Sequence, residues 1–160
     1  MRRGPLFWMA LVLLPVGHFL VQVGFGLGAL APDLLTLAVL LVSRELRTSR
    51  AAAMGFLFGL MEDAFSILAF GANALTMTLL AVAGSRTRDL FVGESVSFFL
   101  GYLFVGTWLR YALHWVVAGT EVRGAAQDVL LVEAPLGAAY VAVVGVVLLL
   151  GTGALVRESR

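Results

Sequence analysis

The chain has no cysteine, which excludes disulfide frameworks, thiolate metal sites and cysteine nucleophiles. It has no lysine either, so all 11 basic residues are arginine and a Walker phosphate loop cannot be built. Two histidines, His18 and His114, are too few for most histidine-built metal sites, and no cofactor is expected. Charge is scarce overall. Charged residues fill 13% of the 160 positions, against roughly 25% in ordinary globular domains. A soluble domain of this size needs a polar surface that so few charges cannot supply. These shortages exclude a soluble enzyme, a disordered tail and a nucleic-acid binder, the last of which needs a concentrated basic patch.

What the chain has instead is apolar sequence, 61% of all residues. A membrane-crossing helix takes roughly 20 mostly apolar residues. Runs of that character predict six spans at about 5–25, 30–43, 51–70, 72–83, 91–117 and 129–150, with a five-span count as the alternative. The expectation is an all-α integral membrane protein with a single transmembrane domain over residues 1–160. Arg2, Arg3 and the first apolar run also suit a secretory leader, with Ala29-Leu30-Ala31 imitating a cleavage site. The run is longer than the usual leader core of roughly 7–15 residues, and Pro32 follows the cut. It reads as a retained helix.

Arginine placement sets the orientation, because cytoplasmic loops collect Arg. With both termini inside, the cytoplasmic segments hold nine Arg against four acids, a net of +5. The outer half holds Arg110 and Arg123 against six acids, a net of −4. No loop is long enough to carry chemistry by itself; the longest expected one, 118–128, has about eleven residues. HExxH and GxSG are absent, and Ser43, Ser66, Ser95 and Ser97 have no histidine nearby in sequence. A non-enzymatic protein is expected.

Three groups of residues carry specific expectations. Ala51, Gly55 and Gly59 recur every four residues and share one helix face, which permits backbone-to-backbone approach by a helix of the same chain or of a partner. Pro32-Asp33 reads as a helix start, with the acid favoured by the N-terminal dipole. His18, Asp63 and Arg110 each lie seven residues before the outer end of their expected span. At 1.5 Å per residue that is roughly 10 Å deep. Charges at such depth are expensive and usually pair inside the protein. The expectation is a buried polar layer of His18, Glu62, Asp63, Arg110 and His114, with Glu62 or Asp63 as the partner of Arg110.

Ala31-Pro32-Asp33-Leu34-Leu35, the Arg-bearing turn at 44–50, and Gly55-x3-Gly59-Leu-x2-Asp63-x7-Gly71-x2-Ala74-Leu75 together resemble the rod shape-determining MreD family. The resemblance centres on residues 31–80, with Pro32, Asp33, Asp63 and Gly71 as its motif positions. It implies a small scaffold subunit of the bacterial cell-elongation machinery in the cytoplasmic membrane. Such a subunit associates with MreC, beside the actin-like MreB filament, the glycosyltransferase RodA and its transpeptidase. The chain departs from the family in having an acidic pair, Glu62-Asp63, where a single acid is typical. The family is similar in architecture to the S components of energy-coupling-factor transporters, so a vitamin-type binding subunit is the alternative.

Overall fold

Helix starts are written into the sequence by three kinds of residue. Pro5 opens the first helix, where its missing N–H costs nothing. Asp33 and Ser95 cap two others by accepting from Thr36 N–H and Phe98 N–H. A computed structural model describes residues 4–24, 32–66, 69–90, 95–120 and 123–155. Its helices are α1 (Pro5–Phe19, continued by a π-turn over Leu20–Gly24), α2 (Leu34–Glu45) and α3 (Thr48–Asp63). They are followed by α4 (Ala72–Leu90), α5 (Val96–Val117) and α6 (Ala126–Gly151). There is no strand among the described residues.

The short helix α2 is the axis of the fold. It touches all five other helices, and every residue from Leu35 to Arg44 is buried. Leu35, Leu37 and Leu40 share one buried core with Phe7 of α1, Met77 and Leu80 of α4, Phe99 and Leu103 of α5, and Leu149 of α6. The outer faces are apolar as well, with Val12 and Val16 on α1 and Val143 and Val147 on α6 all exposed. In water such faces would aggregate; in lipid they are ordinary. Three helices are long and apolar enough to cross a membrane: Pro5–Gln22, Val96–Val117 and Ala126–Gly151.

Several expected boundaries move. The third span was expected to reach residue 70, but α3 stops at Asp63. The side chain there turns to the next helix instead of continuing its own. The fourth runs to Leu90 rather than 83, taking Arg86 and Arg88 into α4. The fifth begins at Val96, where Ser95 caps it, and residues 91–94 lie outside the described residues. The sixth begins at Ala126 and includes a π-stretch over Val129–Glu133, after which Pro135 falls in the first turn of the α-helical part, Ala134–Gly151. Trp108 Nε1 donates to Leu130 O at 3.1 Å, satisfying one of the carbonyls in that stretch.

Candidate functional site

A group of buried polar residues, His18, Asp63, Asn73 and Arg110 among them, gathers where α2 and α4 begin. A helix start leaves backbone N–H groups without helical partners, and both of these starts are buried in protein. Thr36 is fully buried, and Asn73 and Ala74 nearly so. Each start therefore needs acceptors from side chains.

At α2, Asp33 supplies them. Its Oδ1 accepts from Thr36 N–H at 2.9 Å and its Oδ2 from the Thr36 hydroxyl at 2.6 Å. His18, projecting from α1, accepts at Nδ1 from Leu35 N–H at 3.3 Å. The same Nδ1 lies 3.8 Å from Asp33 Oδ1.

At α4 the acceptor comes from the preceding helix. Asp63 is 1% exposed, and its two oxygens accept from Asn73 N–H at 3.1 Å and Ala74 N–H at 2.9 Å. The last residue of α3 thus caps the first turn of α4. Two further features let the chain reverse within so few residues. Gly71 adopts φ +91°, a conformation that side-chain-bearing residues rarely take. At Gly59 an added Cβ would sit 2.6 Å from Ala74 N, so only glycine lets the α4 backbone come this close. One turn along, a Cβ on Gly55 would lie 2.8 Å from that of Ala81. Ala51, Gly55 and Gly59 are all buried. The small-residue face is occupied by α4 of the same chain, so it offers no partner helix a docking surface.

Arg110 of α5 joins the two helix starts. Its Nε lies 3.3 Å from Asp33 Oδ2, its Nη2 pairs with Glu62 Oε1, and Nη2 also donates to Asn73 Oδ1 at 3.4 Å. One guanidinium thereby links α2, α3 and α4 to α5. The acidic pair divides its work, Glu62 meeting Arg110 while Asp63 caps α4. Helix rise gave Arg110 a partner on the correct turn, but the depth count for Asp63 assumed a helix continuing to Phe70.

Two residues depart from the expected layer. Asp33 belongs to it as a direct partner of Arg110, although the sequence marked it as a helix start and motif position rather than as part of the layer. His114 makes no hydrogen bond or ion pair with it among the described residues. It is half-buried and lines a cavity beside the layer with Arg110, Tyr111, Trp115, Arg123 and Glu133. Arg44, counted by its sequence position among the cytoplasmic loop charges, is also inside. It is 6% exposed, and its guanidinium lies 4.5 Å from the Phe98 ring centre, with Phe99 and Tyr102 at 5.2 and 5.4 Å. The signal for this was available in Phe98-Phe99-x2-Tyr102, three rings on one stretch of α5, but nothing local points them at α2.

Truncation of the cap gives a direct check. Asp63→Ala leaves Asn73 and Ala74 N–H buried without acceptors and is expected to cost about 3–6 kcal/mol, each of the two bonds to a charged group contributing about 1.5–3. Asp63→Asn, which keeps one acceptor oxygen, should cost less. Thermal unfolding of the two variants in detergent reads the order; equal stability of Asp63→Ala and the parent would show that the cap is dispensable.

These features define a class: an all-helical membrane protein whose buried polar groups secure the starts of two internal helices. No family model matches the chain, nor does any curated protein or solved structure.

Proposed function

We propose that the chain is a six-span subunit of the bacterial cytoplasmic membrane with both termini inside, a non-enzymatic scaffold of the MreD type. On this reading it binds MreC and helps organise lateral peptidoglycan synthesis and rod shape. RodA and its transpeptidase are further partners, MreB an indirect one, and self-association is compatible with the fold. The observation that carries the reading is the convergence of the signature residues. Gly55, Gly59, Asp63, Gly71 and Ala74 all act in one reversal between α3 and α4, and Asp33 is tied to it through Arg110. A spaced motif with five members meeting in one substructure supports a shared architecture over chance composition. The carboxylates of the layer are engaged in capping and ion pairing, which supports a structural use of them.

Affinity purification from mild detergent tests the assignment. Recovery of MreC with RodA and its transpeptidase is the expected result. Recovery of an ATPase-coupled transport module would replace it with the vitamin-type binding subunit. The same tagged protein checks topology: reporters at Gly119 or Gly124 should read external and a reporter after Arg160 internal. An external C-terminal reporter would refute the six-span arrangement.

A further inference from the structure

Beyond the polar layer, on the side of α5 where it ends at Val117, lies a cavity of ≈ 270 Å³. Arg110, His114, Trp115, Arg123, Val129 and Glu133 are among its lining. Its walls are held in place. Trp115 Nε1 donates to Gly124 O at 2.9 Å, fastening the connecting segment to α5. Arg123 Nη2 donates to Val116 O at 2.8 Å and Ala118 O at 3.1 Å, covering carbonyls that the end of α5 leaves open. The Arg123 guanidinium rests 4.4 Å from the Trp115 ring centre.

The charges are what this arrangement leaves unused. Arg110 already faces two carboxylates. Arg123 has none within ion-pair distance among the described residues, and its Nε–H is buried there without an acceptor. Glu133 lines the same cavity, is exposed, and makes no ion pair among the described residues. One cation without a carboxylate partner and one unpaired carboxylate therefore line the same cavity. A ligand anion would give the Arg123 guanidinium a charge-assisted hydrogen bond. A plain anion would suit Arg123 but meet Glu133 unfavourably. A zwitterion suits both.

Size narrows the choice. Ligand pockets for drug-sized molecules run from about 300 to 1,000 Å³, so this cavity fits a headgroup rather than a large solute. Given the reading that places the end of α5 at the outer membrane boundary, lipid headgroups lie beside it. We propose that this cavity binds a phosphoethanolamine group, its phosphate oxygens accepting from Arg123 and its ammonium facing Glu133. His114 adds a further polar group to the wall, and Trp115 fixes the orientation of Arg123 by stacking.

The test uses the full-length protein in detergent micelles, titrated separately with short-chain phosphatidylethanolamine, short-chain phosphatidylglycerol and soluble O-phosphoethanolamine. Native mass spectrometry reads occupancy, and the melting temperature reads stabilisation. Phosphatidylethanolamine should bind about tenfold tighter than phosphatidylglycerol, as one charge-assisted hydrogen bond allows. Arg123→Gln should weaken both lipids about tenfold or more. Glu133→Gln alters an exposed side chain, so the fold is kept, and it should erase the preference between the lipids. Binding of O-phosphoethanolamine with the same dependence on both residues upholds the site with a free headgroup as its source. Binding of the lipid alone upholds it with the bilayer as source. A folded Arg123→Gln variant that binds as the parent does, or a Glu133→Gln variant that keeps the preference, overturns the proposal. Either result leaves recovery of MreC unaffected, so the two readings fail independently.

Discussion

Replacing Arg110 with leucine is expected to destabilise the protein by about 3–5 kcal/mol, the range seen when one partner of a buried ion pair is removed. The Arg110 side chain is only 10% exposed and those of Asp33 and Glu62 are 11% and 22% exposed. The leucine variant would leave the carboxylates of Asp33 and Glu62 without the cation between them. Asp33 retains its bonds from Thr36 N–H and hydroxyl, but Glu62 keeps no comparable support among the described residues. Its Oε2 is buried without a hydrogen-bond partner even in the parent. The double variant Arg110→Leu/Glu62→Leu should therefore be more stable than Arg110→Leu alone, because it removes the stranded charge with its cause. Unfolding of the four proteins of this cycle in detergent gives the coupling directly. If the double variant is no better than the single, Glu62 is solvated and the pair contributes nothing.

Gly59→Ala should cost about 3 kcal/mol or more, although alanine is by about 1 kcal/mol the better helix former. The added methyl would fall on the backbone of Asn73 and Ala74, and a backbone cannot rotate aside as a side chain can. The helices must separate. Overpacking of a well-filled core costs about 1–3 kcal/mol. Here the separation also pulls Asp63, one turn further along α3, from the two N–H groups it caps. Gly101→Ala is the matched control, since nothing lies within 4 Å of its added methyl, and it should be neutral or stabilising. Folded yield and melting temperature of both variants test this. A Gly59→Ala protein as stable as the parent would mean that α3 and α4 sit further apart than described.

Lipid as solvent was legible from composition, because 13% charge and 61% apolar residues leave no other way to cover 160 residues. So were the all-helical class, the starts at Pro5 and Asp33, and the close-approach face of Ala51, Gly55 and Gly59. All of these depend on a residue's own chemistry or on spacing within one turn. A partner on α3 for Arg110 was also foreseeable, since an interior charge in an apolar chain must be balanced nearby.

The tertiary structure decided the rest. The choice between Glu62 and Asp63 could not be made locally, as both sit on the last turn of α3. It turned on where α4 begins, and the buried N–H groups of Asn73 and Ala74 took Asp63. Asp33 joined Arg110 for a similar reason. A helical position fixes a direction around its own axis but not which neighbour lies there. Arg44 looked like a solvated loop charge until α2 proved to be the central helix, with three α5 rings around it. Sequence determined which groups could not be left alone in an apolar interior. Only the assembled helices, by fixing which buried donors faced which acceptors, determined how each was satisfied.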